Sequence, residues 1–146
     1  MTFAQNCDMM EKMGGMLRYG IPNYRFPRTR LQEDIDYILK TGVEIKLGVE
    51  VGKDISISQL EQDYDATYIA IGAQTDKKFD IEGSESNNVI SAVNLLRDVG
   101  LEKPIDFTGK RVCVIGGGNV AMDCARTSVR ANAKNVSIVY RRQEKD

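Results

Sequence analysis

Three features of the sequence predict an α/β fold, with a parallel sheet and flanking helices. Val112, Cys113, Val114 and Ile115 form a short apolar run, and a glycine cluster follows at Gly116, Gly117 and Gly118. A helical pattern then runs to about Ala133, and a second apolar run, Val136 to Tyr140, closes the unit. Residues 66–72, ATYIAIG, are apolar throughout and end on glycine, as suits a parallel strand buried on both faces. Strand, tight turn, helix, strand is the order of a dinucleotide-binding βαβ unit, so the sheet is expected to be Rossmann-like.

The turn reads G-x-G-x-x-A across Gly116-Gly117-Gly118-Asn119-Val120-Ala121. Gly116 can take the backbone angles of a tight turn. Gly118 lacks a Cβ, so a pyrophosphate can come close to the backbone. Ala121 is small enough for helix and strand to pack tightly. The helix start offers N–H groups and the positive end of its dipole to phosphate. Gly116, Gly118, Asn119, Val120 and Ala121 are therefore candidate cofactor-binding residues. At the end of the second strand an NAD site usually carries Asp or Glu for the ribose hydroxyls. This chain has Arg141 and Arg142 there. A carboxylate repels a 2′-phosphate, whereas a guanidinium binds it bidentately. The pair reads as a 2′-phosphate clamp, favouring NADPH over NADH; the plainer reading is two arginines on a solvated strand end.

The chain has 146 residues, enough for one domain with a core, and a formal net charge of −1. Basic residues are scattered and balanced by acids, so no nucleic-acid partner is expected. No apolar run approaches a membrane span, and no signal-peptide pattern opens the chain. A cytoplasmic protein is the expectation. There is no histidine, and the three cysteines, Cys7, Cys113 and Cys124, show no C-x-x-C spacing. That removes the usual general acid–base group, most zinc sites and a redox dithiol. No catalytic side chain and no metal ligand is nominated; the chemistry is a cofactor's. Cys113, in the strand, and Cys124, on the helix, are expected to be small core residues.

Taken in order, residues 1–13 carry little structural signal. Gly14-Gly15-Met16-Leu17-Arg18-Tyr19-Gly20-Ile21-Pro22 follows, and its glycines can let backbone lie against a flat ligand; composition alone favours a loop packed on the core. A helix is predicted from Thr29, with Thr29 and Gln32 as a capping box and Leu31, Ile35, Ile38 and Leu39 on one face. Gly42 is its stop. Residues 43–51, VEIKLGVEV, alternate as a strand with one covered face. A short helix capped by Ser58 with Glu61, carrying Leu60 inward, comes next. Residues 73–88 read as a linker. Ser91 is placed to cap a helix through Val99, with Leu95 and Leu96 inward and Gly100 as stop. On the long helix, Val120, Ala121, Cys124, Ala125, Ser128 and Val129 form one small-residue face. Asp123 and Arg126 have the spacing of a surface ion pair.

The stretches GGMLRYGIPNYRFP, VEIKLGVEVGKDISISQLEQDYDATYIAIGAQ and GKRVCVIGGGNVAMDCARTSVRANAKNVSIVYRR together resemble the NADPH-dependent glutamate synthase small (beta) subunit and related FAD-NAD(P) oxidoreductases. The resemblance covers roughly residues 8–146. It implies two dinucleotide-binding domains, hydride transfer from NADPH to FAD, and passage of electrons to a glutamate synthase large subunit or another electron-acceptor subunit. It places Gly14, Gly15, Met16 and Leu17 along the flavin and Val51 at a strand end near the FAD adenine. Ala70, Ile71 and Gly72 match the segment where the FAD domain hands over to the NADPH domain. Asp8 stands where such proteins hold the FAD ribose with an acid, although Gln5-Asn6-Cys7 makes a poor strand. Residues 1–80 are thus expected to be part of the FAD-binding domain, and 81–146 a linker and the first βαβ unit of the NADPH-binding domain.

The chain also departs from that family. It has no N-terminal G-x-G-x-x-G and no iron–sulfur cysteine clusters. The expectation is a partial two-dinucleotide-domain fold, a fragment inactive alone. Strands 66–72 and 112–116 could pair within the chain, or two chains could complete each other as a homodimer. The alternative function is a non-catalytic NADP(H)-binding or interaction module. A methyltransferase is disfavoured, since an adenosine-only ligand gives no reason for a phosphate clamp.

Overall fold

The computed structural model describes residues 4–77 and 81–142, so residues 78–80 of the expected linker lie outside the described residues. The chain divides into two compact units, Met1–Arg18 with Asn23–Ala73 and Tyr19–Pro22 with Gln74–Asp146. The fold is α/β, and both of its two-stranded sheets are parallel.

The first unit holds β1 (Gln5–Asp8), α1 (Gly15–Tyr19), α2 (Arg28–Leu39), β2 (Glu44–Leu47) and α3 (Ile57–Asp63). α1 reaches its last residue at the unit's boundary. β1 pairs with β2 from Gln5 opposite Glu44 to Asp8 opposite Leu47. The weak local signal before Asp8 is therefore overridden by ladder pairing, which counts for more than strand propensity.

α2 starts one residue earlier than the capping-box reading, directly after Pro27, and has no side-chain cap of its own. Asn23 Oδ1 instead accepts the Arg28 N–H at 2.9 Å. Gln32, displaced from capping, donates to Asp36 Oδ1 at 2.8 Å. Leu31 and Ile35 are buried, but Ile38 and Leu39 are exposed, so the apolar face is shorter than its periodicity. Gly42, at φ +87°, turns the chain out of the helix. Gly48, at φ +67°, cuts the expected strand 43–51, and Val51 is left in an isolated bridge with Ile55. Ser56, rather than Ser58, caps α3 by accepting the Gln59 N–H at 3.1 Å, and Leu60 is buried.

Residues 66–72 depart furthest from expectation. Neither sheet includes them, and Tyr68, Ile69 and Ile71 are 92%, 69% and 79% exposed. A strand apolar on both sides needs ladder partners and covering layers. Among the described residues of the first unit neither is supplied.

The second unit holds α4 (Ala92–Gly100), β3 (Arg111–Ile115), α5 (Asn119–Arg130) and β4 (Asn135–Val139). Ser91 Oγ caps α4 by accepting the Asn94 N–H at 3.0 Å. The same hydroxyl bonds Asp76, and Arg97 donates to the Gln74 carbonyl at 2.7 Å, which ties residues 74–76 to α4. α5 packs on β3, β4 and α4. Leu95, Leu96, Phe107, Cys124 and Ala131 form the core, with Ile105, Val112 and Val114 against it. The segment before β3 is laced to the end of α5: the Phe107 N–H donates to the Ala131 carbonyl at 2.7 Å, and the Lys134 N–H to the Lys110 carbonyl at 2.8 Å.

β3 alternates, with Val112 and Val114 partly buried against that core and Arg111, Cys113 and Ile115 exposed on the other face. Cys113 is therefore a surface thiol and not a core residue. On α5 the buried positions are Ala121, Asp123, Cys124, Ala125, Thr127 and Ser128, while Val120 and Val129 are 49% and 62% exposed. The packed stripe is rotated toward Asp123, which at 3% exposure is buried and not on the surface where its spacing to Arg126 placed it.

Two outcomes follow from this packing. Leu96→Ala removes a side chain only 3% exposed at the centre of the second core. It should cost about 2–5 kcal/mol in urea unfolding. Burial, helped by the charges of Asp123 and Asp76, raises the Cys124 thiol from 9.0 to about 11. The unfolded thiol ionises first, so this group's stabilisation is complete below pH 9 and is lost as pH rises through about 11. Cys124→Ala should flatten the fall in thermal midpoint over that window, and an unchanged slope would refute the assignment.

Candidate functional site

β3 passes into α5 through the glycine turn, and each position has its own geometry. Gly116 sits at φ +128°, a conformation side chains rarely adopt, and its N–H donates to the Val139 carbonyl at 2.9 Å. A Cβ built on it would lie 3.5 Å from the Ala121 Cβ, so strand end and first helical turn are in close contact. Gly118 is the N-cap of α5 and is extended, at φ −85° and ψ 180°. A Cβ on Gly118 would meet no heavy atom within 4 Å. The space over Gly118 is open, and behind it stand the first N–H groups of a 12-residue helix. Asn119 and Val120 are exposed at that end, and Ala121 is buried beneath it.

Gly117 was only a spacer in the sequence pattern, yet it is the most confined of the three. A Cβ there would lie 2.6 Å from Cγ and Cδ1 of Tyr140. The Tyr140 ring, which follows β4, is therefore seated on the Gly117 backbone. A glycine at a position where the pattern asks for none was the only signal of this in the sequence. Arg141 and Arg142 follow immediately and are exposed.

In the first unit, Gly14 and Gly15 also differ from each other. Gly14, at φ +118°, has Leu31 Cδ2 only 2.8 Å from where its Cβ would be, so it packs on α2. Gly15, at φ +47°, has nothing within 4 Å and offers open backbone. Met16 is partly buried and Leu17 exposed. Arg28 clasps this segment, its guanidinium donating to the carbonyls of Leu17 and Arg18, the former at 2.8 Å. Nothing in the spacing of Arg28 announced that bond.

Asp8 closes β1, and its Oδ1 accepts the Met10 N–H at 2.9 Å. Val51 lies past Gly48 and beyond the end of β2, and is exposed. Gly72, at φ +66°, is exposed after the unpaired run, as are Ala70 and Ile71. Among the described residues no cluster of His, Cys, Asp or Glu has the form of a metal site. No helix among them is long and apolar enough to cross a membrane.

Comparison with known proteins agrees with this geometry. The pyridine nucleotide-disulphide oxidoreductase family matches residues 10–145. The chain is 44% identical to the NADP(+)-dependent formate dehydrogenase subunit beta of Moorella thermoacetica, over 88% of this chain and 18% of that protein. It is 40% identical to the NADPH-Fe(3+) oxidoreductase subunit beta of Geobacter sulfurreducens, over 91% of this chain and 20% of that one. It is 34% identical to the glutamate synthase [NADPH] small chain of Escherichia coli, over 95% of this chain and 32% of that one. The chain thus spans a third or less of the length of these relatives. Among solved structures, Mycobacterium tuberculosis FprA in complex with NADPH superposes with a TM-score of 0.82 at 23% identity, over 96% of this chain and 37% of FprA, a likeness of fold. With the family matched from strand to strand and the glycine turn formed between them, the chain belongs to the pyridine nucleotide-disulphide oxidoreductase family.

Proposed function

We propose that this chain is part of an NADPH-dependent flavin oxidoreductase of the glutamate synthase small-subunit type. The observation that carries the reading is the open backbone at Gly118, set at the N-terminus of α5 and directly after a parallel strand. The second unit is the NADPH-binding part and the first is the FAD-binding part. Together the two cofactors supply hydride transfer from NADPH to FAD and onward release of electrons. The relatives are named as beta subunits or small chains, which supports an electron-acceptor subunit as partner, a glutamate synthase large subunit or its counterpart.

The residues present fit these roles. Gly118 admits the pyrophosphate to the start of α5, where the N–H groups of Asn119, Val120 and Ala121 face it. Gly116 provides the turn. Arg141 and Arg142 pair with the 2′-phosphate. Gly15 leaves its backbone open to the flat face of the flavin, and Met16 and Leu17 continue that surface. Gly14 fixes the segment on α2, and Arg28 holds the carbonyls behind it. Asp8, Val51 and Gly72 complete the FAD side. Each of these groups binds or orients; proton transfer is assigned to none of them.

Calorimetric titration with NADPH and NADH tests the reading. NADPH should bind more tightly than NADH, and replacing both Arg141 and Arg142 with alanine should weaken NADPH about 10–100-fold, the worth of one or two charged hydrogen bonds. A Cβ at Gly118 meets open space and the backbone there is extended, so Gly118→Val should leave the thermal midpoint nearly unchanged while abolishing nucleotide binding. Tighter binding of NADH would sink the clamp. Unaltered binding by Gly118→Val would remove the phosphate from this turn. Flavin absorbance of the purified protein distinguishes the oxidoreductase from its rival, a colourless NADP(H)-binding module.

A further inference from the structure

We propose that Tyr140 is a positioning residue that sets the cofactor's phosphate specificity by locking the arginine pair to the glycine turn; this rests on the clamp reading above. Three observations carry it. Cγ, Cδ1 and Cδ2 of Tyr140 lie 2.6–2.7 Å from the position a Gly117 Cβ would take. Contact through Cγ means the root of the ring is involved, so a rotation of its tip cannot make room. Gly117 has no positive φ, unlike Gly116 at +128°. Its backbone is therefore not in the region that favours glycine, and the three atoms nearest an added Cβ all belong to the Tyr140 ring. Finally, the contact is cross-strand: Gly117 follows β3 and Tyr140 follows β4, whose last paired residues are Ile115 and Val139.

Arg141 and Arg142 are joined to Tyr140 by one and two peptide units. Their Cα atoms therefore lie within about 4 and 8 Å of its own, whatever the local conformation. Beyond Val139 no ladder bond of β4 holds this stretch, and both arginines are exposed. The Tyr140 ring on Gly117 is the contact that fixes where they emerge relative to the open backbone of Gly118. The hydroxyl plays no part in the contact, so phenylalanine should do the same work. Discrimination of a 2′-phosphate depends on guanidinium position, and misplacement of about 1 Å in a binding group is enough to lose much of its effect.

The test is a cycle of Gly117→Ala, Tyr140→Ala, Tyr140→Phe and the Gly117→Ala/Tyr140→Ala pair, read in two ways. The first reading is the thermal midpoint. Gly117→Ala alone should lower it, and the double variant should recover it to the level of Tyr140→Ala; an additive double variant overturns the contact. The second is the ratio of affinities for adenosine 2′,5′-bisphosphate and 5′-AMP. The wild type and Tyr140→Phe should favour the bisphosphate at least 10-fold. Gly117→Ala, Tyr140→Ala and the double variant should bring the ratio toward one while still binding 5′-AMP. A purely structural tyrosine would weaken both ligands together and leave the ratio alone, which overturns the proposal. A wild type that does not prefer the bisphosphate, or binds neither nucleotide, refutes the clamp reading itself and the proposal with it.

Discussion

The second unit depends on how β3 becomes α5. A strand can enter a helix so abruptly only if one residue accepts a positive φ, and Gly116 does so at +128°. Its N–H remains in register, bonded to the Val139 carbonyl, so the turn begins while β4 is still paired. The same sharpness brings Ala121 against the strand end. The core then follows: α5 lies flat enough for Cys124 and Ala131 to reach Leu95, Leu96 and Phe107. The position that makes the turn and the position that faces open space are different glycines. Gly116 serves the fold, and Gly118 is free of steric duty.

Much of this was legible in the sequence because it is local. Periodicity and caps located α4, α5, β3 and β4 to within a few residues, since Ser91, Gly116 and Gly118 act on their immediate neighbours. The boundaries that slipped did so where a non-local partner intervened. α2 begins at Arg28 because Asn23 reaches forward to its N–H. β1 forms from an unpromising Gln5-Asn6-Cys7 because β2 supplies the ladder. Faces were harder still. Cys113 is exposed and Asp123 buried, the reverse of what their side-chain types suggest, because small residues such as Ala, Ser and Thr do not fix the angle of a stripe.

The run 66–72 shows the other limit of local reasoning. Its composition is that of a central strand, and such a strand is defined by what lies on either side of it. Without ladder partners among the described residues, Tyr68, Ile69 and Ile71 remain exposed. The composition of these residues records an environment, and the described residues do not provide one. β3 presents a milder version: one face meets α5, and on the other Arg111, Cys113 and Ile115 remain exposed. Doubly wound sheets carry helices on both faces.

A glycine-rich turn is usually explained wholly by its ligand, but here two of the three glycines have reasons of their own in the fold. Gly116 is required by backbone geometry, Gly118 faces open space, and Gly117 lies against a tyrosine from the neighbouring strand end. Three causes acting on adjacent residues look alike in sequence, because each yields the same letter. They separate physically. An added Cβ is strained at Gly116 whatever surrounds it, meets open space at Gly118, and at Gly117 runs first into the Tyr140 ring. The turn and the end of β4 therefore constrain each other through packing, and Arg141 and Arg142 follow directly on the residue that makes that contact. Pre-organisation of this kind lowers the ordering cost of binding, which is why the proposed clamp needs no burial of its two exposed arginines to be selective.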